Sequence, residues 1–352
     1  MRTRIPPLEN PYVLVDTSNI EESLWLKYRK CGIGGSDAAA ILGISPYRTA
    51  RDLYYDKLDI VTHDEPDENW VQKKMGHLLE DLVAEIFHVK TGYEIFQLKK
   101  MFFHPEYTHM LADVDYFVVL PNGETAILEI KTTNYNAIDI WWRDGAEVVP
   151  IHYEIQGRHY MAVMDVDHVF FCCLYGNTAD ETIIRHIARD RNYEDELIAL
   201  ETDFWENNVM KKRPPPYVED GSLVLDSVKK RFGNADPNAT VVELSLSGIS
   251  GAMRYLELKA QKAALNNEVK RVDNEMKLLQ GRIVDEMGKS CTAVYNDDDT
   301  DYTITYNPVH TLGISKDDLF RLQMQYPDIY EKFVTVSESR RFYVKKTPKK
   351  AA

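Results

Sequence analysis

The residues best placed to do chemistry lie in the run LADVDYFVVLPNGETAILEIKTT, Leu111 to Thr133. Two β-rich stretches flank Pro121-Asn122-Gly123, a turn signal where a hairpin would reverse. Side chains alternate along a strand, so Ala126, Leu128 and Ile130 share one face, and Ile127, Glu129 and Lys131 the other. An acid and an amine thus share one face of a strand whose other residues favour burial. Asp113 and Asp115 share a face of the first stretch in the same way. Unpaired buried charge is unfavourable, so these groups must pair, open into a cleft, or hold a metal ion. An Asp…Glu-x-Lys set across a hairpin suits Mg²⁺-dependent phosphodiester hydrolysis. Hard carboxylate oxygens bind the cation, and the lysine orients a water or helps deprotonate it. A solvated ion pair is the plainer reading of the same Glu-x-Lys.

Three further places carry chemistry-bearing residues. Cys31-Gly32-Ile33-Gly34-Gly35-Ser36-Asp37 opens a helical run, Ala38 to Leu42. Free N–H groups at such a turn seat a phosphate, with Ser36 near the N-cap and Arg29 upstream as a fork for the same anion. A tight turn capped by Ser36 or Asp37 accounts for the same residues. Glu80 falls on an apolar helix stripe with Gly76, Val83, Ala84 and Phe87. It is either a third metal-site acid or a side chain reaching back to Lys73 or Lys74. Trp141-Trp142-Arg143 could stack on bases or pack inside the protein.

These residues need elements to hold them. The sequence predicts helices over about 19–30, 49–58, 70–91, 150–164 and 193–212, and strands over 93–104, 168–175 and 182–190. Gln156 and Tyr160 are i, i+4 neighbours on the fourth of those helices, with Tyr153 one turn earlier. Pro214-Pro215-Pro216 reads as the end of a domain. Beyond it, 217–250 is turn-rich and 252–287 reads as one long helix. Leu265, Val269, Val272, Met276, Leu279 and Ile283 recur there at alternating spacings of four and three. That helix is expected to dock on the strands that follow it, around Asp297-Asp298-Asp299. A helical stretch (317–333), a last strand with Arg340, Arg341 and Phe342, and the basic tail Lys345 to Lys350 close the chain.

Composition sets the outer bounds. The chain has 352 residues, 44% hydrophobic and 28% charged, enough for a sizeable core and two domains. A net charge of −14 argues against a protein that coats nucleic acid, but is compatible with a carboxylate site beside a locally basic channel. No apolar run is long enough for a membrane span and no signal peptide is evident, so a cytoplasmic protein is expected. Cys31, Cys172, Cys173 and Cys291 lack zinc or disulfide spacing.

Taken in order, Arg29, GIGGSDAAAILGISPY (Gly32–Tyr47), Gly76 with Glu80, ADVDYFVV (Ala112–Val119), LEIKTT (Leu128–Thr133) and VPIHYEIQGRHYMAV (Val149–Val163) resemble the YqaJ-type viral recombinase family. These are relatives of phage lambda exonuclease within the PD-(D/E)xK nuclease superfamily. The resemblance covers most of residues 20–190. It implies an α/β (α+β) fold: a restriction-endonuclease-like core with a central mixed sheet flanked by helices, and a C-terminal helix-and-hairpin extension. The domains would be 1–215 for the nuclease and 216–352 for the extension.

The same resemblance implies a site. Asp115, with Asp113 as the alternative, and Glu129 would hold one or two Mg²⁺ or Mn²⁺ ions, with Glu80 and the Ile130 backbone carbonyl completing the set. Lys131 would activate water, and Gln156 and Tyr160 would support the site or touch the scissile strand. Arg29 and Ser36, with a backbone contribution from Gly34, would grip a 5′-phosphate. The cysteines do not follow the pattern of the superfamily's iron–sulfur members, so no cluster is expected. The implied activity is 5′→3′ digestion of duplex DNA ends, yielding 3′ tails for strand annealing in a phage or prophage setting. Implied partners are DNA ends, an annealing protein and, in a ring-shaped trimer, further copies of the chain. An endonuclease of the same fold and a non-cleaving end binder are the competing readings.

Overall fold

The computed structural model describes residues 12–62, 70–234, 236, 238–296, 301–308 and 314–334. The Asp297–Asp299 turn, the strand expected at Arg340–Phe342 and the Lys345–Lys350 tail lie outside them. The described chain forms two units, Met1–Pro237 and Asn238–Ala352.

The first unit begins with strand β1 (Tyr12–Asp16) and helix α1 (Glu22–Lys30). The short strand β2 (Ile33–Gly34) leads straight into α2 (Gly35–Ile41). Helix α3 (Ala50–Lys57) starts with a reciprocal cap: Thr49 Oγ1 accepts from Asp52 N, and the Asp52 carboxylate accepts from Thr49 N. Helix α4 (Trp70–Thr91) has the length its apolar period predicts and stops at Gly92, whose φ is +72°.

Five strands follow: β3 (Glu94–Phe96), β4 (Lys100–Phe103), β5 (Met110–Asp113), β6 (Tyr116–Val119) and β7 (Thr125–Thr132). A 3₁₀ turn (Tyr135–Trp141) and the small ribbon β8 (Trp142–Arg143) and β9 (Ala146–Glu147) connect to α5 (Ile151–Met164). Then come β10 (His168–Leu174), β11 (Thr182–Ala188), and α6 (Arg191–Asp203), which runs on into a π-helical turn, Phe204–Met210.

The strands build two sheets. One has the order β1-β4-β5-β2 and the other β11-β10-β7-β6-β3. In the second, β7 and β10 are parallel and the remaining pairs antiparallel, so the sheet is mixed. The expected hairpin is the β6–β7 pair. Its three-residue loop puts Gly123 at φ +88°, closed by bonds from Leu120 N to Glu124 O and from Gly123 N to Leu120 O.

Two expectations change here. The run 93–104, read as one strand, divides into β3 and β4 in different sheets. The Asp113–Asp115 run likewise crosses from β5 in the first sheet to β6 in the second. Alternation alone reports a strand but not which ladder each half joins.

Helices cover both faces of the five-stranded sheet. On one face Ala126, Leu128 and Ile130 of β7 pack with Val83, Ala84 and Phe87 of α4. On the other, Ile127 packs with Met161, Ala162 and Met164 of α5. The alternation expected of β7 is therefore the one observed, with both faces buried.

The first unit runs past the triple proline. Arg51 Nε donates to Pro215 O at 2.8 Å, and Ala50 N donates to Glu219 at 2.7 Å. Helix α7 (Gly221–Phe232) returns to α3, where Ser227 Oγ donates to Asp52 at 2.6 Å. Three prolines mark a break in secondary structure, and a carbonyl free of any helix or ladder, that of Pro215, serves here as an anchor.

The second unit holds α8 (Leu246–Met287), the hairpin of β12 (Thr292–Asn296) and β13 (Asp301–Thr305), α9 (Lys316–Gln325) and α10 (Pro327–Phe333). Helix α8 begins six residues before the expected position. Ser245 Oγ accepts from Gly248 N, so a stretch that reads as turn-rich is its cap and first turn. The docking expected of α8 is not observed: none of its residues is buried, and its seam residues Leu265 to Ile283 are exposed.

Candidate active site

The crossing from β5 to β6 opens a cleft of about 340 Å³. Arg29, Gly34, Ser36, Glu80, Asp113, Asp115, Gln156 and Tyr160 all line it. Five stretches of chain spaced over more than a hundred residues thus converge. Strand β7 supplies Glu129 and Lys131 from behind. Glu129 is 1% exposed, and its Oε2 accepts from Lys131 Nζ at 2.9 Å and from Gln156 Nε2 at 2.8 Å. Asp115 Oδ2 accepts from Ile130 N at 2.8 Å, which ties the crossing to the middle of β7. Asp113 is held by Trp25, whose Nε1 donates to Oδ2 at 2.7 Å. Asp113 and Asp115 therefore both face the cleft, each fixed by a different element.

Negative charge is in excess. Burial first, then Asp115, push the Glu129 carboxyl up to about 8 against the pull of Lys131. Glu80 is pushed up to about 7 by burial and by Asp115, Asp81 and Asp113. Burial also raises Asp115 and Asp113. Burial works against the Lys131 ammonium, but Glu129 and Asp115 outweigh it and raise its pKa. The ring of Tyr153 lies 5.1 Å from that ammonium.

This donor set fits a hard divalent cation. Glu129 Oε1 is buried without a hydrogen-bond partner, a position that calls for a proton or a cation. Among the described residues no three His, Cys, Asp or Glu side chains are already gathered as a closed ligand set. The cleft supplies adjoining carboxylates rather than a finished cage.

At the other end of the cleft Arg29 Nη2 donates to Ser36 Oγ at 2.8 Å, so the pair expected to share an anion stands together. Gly34 behaves differently from the phosphate-seat reading: its N–H donates to Asp37 Oδ2 at 3.0 Å, and Asp37 caps α2. The glycine at 35 has another purpose. A Cβ there would lie 2.6 Å from the Tyr160 ring and 3.0 Å from Gln156 Cγ, so α2 and α5 touch only because Gly35 lacks one. Tyr160 is 6% exposed and stands against that glycine. Of the tryptophan pair, Trp141 is fully buried in the core and Trp142 lies 5.3 Å from the Arg185 guanidinium. Cys172 and Cys173 are buried in β10, on opposite faces of the sheet.

Sequence reasoning missed Trp25, Arg48 and Lys57, and read Asp37 only as a cap. The Arg29 guanidinium sits 4.9 Å from the Trp25 ring, so one indole touches both Arg29 and the Asp113 carboxylate. Arg48 was legible as the next residue after Ser45-Pro46-Tyr47. Lys57 lay inside a helix, where nothing marked it as buried.

Fold and cleft define a mixed α/β protein with a carboxylate-rich cleft at the parting of two sheets and a guanidinium at its edge. The model for the YqaJ-like viral recombinase domain matches residues 24–167. The Bacillus subtilis (strain 168) protein named "Uncharacterized protein YqaJ" is 31% identical over 336 residues, which cover 95% of this chain and 97% of the relative. The chain belongs to the YqaJ-like viral recombinase family. Among solved structures, the alkaline exonuclease LHK-Exo of Laribacter hongkongensis is similar at 17% identity and TM-score 0.42, over 59% of this chain and 98% of that one. A phage related exonuclease from Haemophilus somnus 129PT is similar at 13% identity and TM-score 0.39, over 53% and 99%. At these identities and scores they add nothing on this chain's chemistry.

Proposed function

We propose that this protein is a divalent-cation-dependent deoxyribonuclease that digests duplex DNA 5′→3′ from its ends, leaving 3′ tails for strand annealing. The observation that carries the reading is the buried Glu129 carboxylate. One of its oxygens is held by Lys131 and Gln156, the other has no partner, and Asp115 and Glu80 stand beside it. In this reading Asp115, Glu129, Glu80 and the Ile130 carbonyl would hold Mg²⁺ or Mn²⁺. The bound cation supplies a polarised water and offsets charge on the reacting phosphoryl group.

The remaining steps belong to the protein's own side chains. Lys131 keeps its proton while Glu129 and Asp115 are uncompensated. Held in that charged form, Lys131 would orient the attacking water by donating a hydrogen bond to it. Gln156 fixes the rotamer of Glu129, and Tyr160 sets the distance between α5 and α2. Arg29 and Ser36 take the terminal 5′-phosphate, which fixes the direction of digestion. An annealing protein and further copies of the chain in a ring are partners under the same proposal, with action in the cytoplasm. Among the described residues no helix is long and apolar enough to cross a membrane.

The deciding experiment follows end-labelled linear duplex over time, with and without a 5′-phosphate, under Mg²⁺ and Mn²⁺. Release of 5′-nucleotides from phosphorylated ends supports the reading. Cleavage of covalently closed circles at a similar rate would make the protein an endonuclease. End binding without hydrolysis under either ion would make it a non-cleaving binder.

A further inference from the structure

Behind Arg29 and Ser36 lies a second cleft of about 440 Å³, whose lining includes both residues together with Arg48 and Lys57. Its floor is Asp37, 1% exposed. Lys57 Nζ donates to Asp37 Oδ2 at 2.7 Å, and Arg48 Nη2 makes a close bond to Oδ1. Arg29 Nη2 stands 3.8 Å from the same Oδ1. The remaining capacity of Oδ2 is taken by Gly34 N. Lys57 also donates to the Arg29 carbonyl at 2.8 Å, tying the end of α1 to the same acid. Asp56 reaches Arg48 and Lys30 only at 3.8 and 3.6 Å, from the outer side of the cleft. One carboxylate thus faces three cations. Burial works against its charge, but Arg48, Lys57 and Arg29 outweigh burial and hold it far below the ordinary carboxylate range.

We infer that Asp37 is the positioning residue of an anion seat formed by Arg29, Ser36 and Arg48, holding guanidinium groups that would otherwise repel one another in the arrangement a phosphate needs. The inference rests on the terminal-phosphate role proposed for Arg29 and Ser36. A buried acid with one cation would cancel it and leave a neutral contact. With three, it fixes their places and leaves about two positive charges unmatched, which suits a phosphate monoester dianion. It also ties that seat to the start of α2 through Gly34. The seat is therefore assembled before DNA arrives, and little side-chain ordering remains for binding.

The test uses the full chain and inorganic phosphate, measured by titration calorimetry at low salt beside a thermal melt. Asp37→Asn combined with Lys57→Met keeps the local charge balance, so its effect reads arrangement rather than charge. It should bind phosphate at least about tenfold more weakly than wild type while still melting cooperatively. Lys57→Met alone retains the acid and should lose less. With DNA, the double variant should raise KM for 5′-phosphorylated ends about tenfold, with kcat within about threefold and 5′-hydroxyl ends unaffected. Should the double variant unfold, Asp37→Glu, which keeps the charge but displaces the carboxylate by one methylene, must show the phosphate loss in a folded protein. Unchanged phosphate affinity in a folded variant overturns the inference, as does an equal loss in Lys57→Met alone. So does a fall in kcat on both kinds of end, which is the mark of a merely structural acid. Wild-type protein that binds phosphate through this seat yet never hydrolyses DNA would sink the nuclease reading and leave the seat standing.

Discussion

Two buried acids, Glu129 behind the first cleft and Asp37 at the floor of the second, obey opposite rules. Around Glu129 the carboxylates outnumber the cations, and the acid is driven up to about 8. Around Asp37 the cations outnumber the acid, and it is driven far down. Burial alone does not separate the two, since both residues are 1% exposed. Under the proposed function, the sign of the surplus suits a cation where Glu129 sits and an anion where Asp37 sits. The proposed phosphodiester substrate would use both at once, one to grip its end and one to react.

The sharpest way to break this contrast is at the acidic end. Lys131→Ala should cut turnover by about 10²–10⁴-fold while leaving DNA-end binding intact, read from single-turnover cleavage beside a binding titration. Substantial remaining cleavage would remove the lysine from the mechanism. At the cationic end, Arg29→Lys keeps a charge but loses the fork. It should weaken binding of 5′-phosphorylated ends by about 10-fold or more and spare 5′-hydroxyl ends. Equal loss on both would count against the seat.

Proton linkage gives a third test. Glu129 and Glu80 titrate near 8 and 7 in the fold, against an ordinary value of 4.5. Each carboxyl whose folded pKa is raised contributes stability that is full below about pH 4.5 and lost as pH rises through the folded value. A divalent cation held there as proposed would replace those protons, so the gain in Tm on adding Mg²⁺ should grow from about pH 6 to about pH 9. A gain independent of pH would mean that the cation does not displace these protons. The smallest expected effect concerns spacing. Gly35→Ala forces Tyr160 aside and should lower stability by about 1–3 kcal/mol in denaturant melts, with a fall in kcat because Gln156 moves with it.

Much of the acidic end was legible in the sequence because strand alternation is a strict rule. Glu129 and Lys131 had to share a face, and Glu80 stood out as a charge on an apolar stripe. The cationic end was less so. Arg29 and Ser36 were readable as a pair seven residues apart, but Lys57 is recruited from another helix by burial, and no local pattern records that. At Gly34, where a backbone contribution to a phosphate seat was expected, the N–H is donated to the Asp37 carboxylate, a detail the glycine-rich turn did not reveal. The fold class was readable from the order of elements. The crossing of β5 into a second sheet was not, because the side chains of Asp113 to Asp115 look alike whichever ladder they join. The unit boundary near 237, rather than at the prolines, depends on hydrogen bonds between α3 and the segment carrying α7, some 160 residues apart in sequence.

That crossing has a consequence for how the protein can vary. Asp113 is anchored through the ladder of β4 and β5, and Asp115 through its bond to the backbone of β7. Any slip between the two ladders therefore alters the gap between these two acids, with the peptide of Val114 as the hinge. Neither ladder alone sets the width of the cleft there; their relative setting does. Substitutions deep in either sheet, remote from every carboxylate, thereby become ways of altering the spacing of the acids that line the cleft.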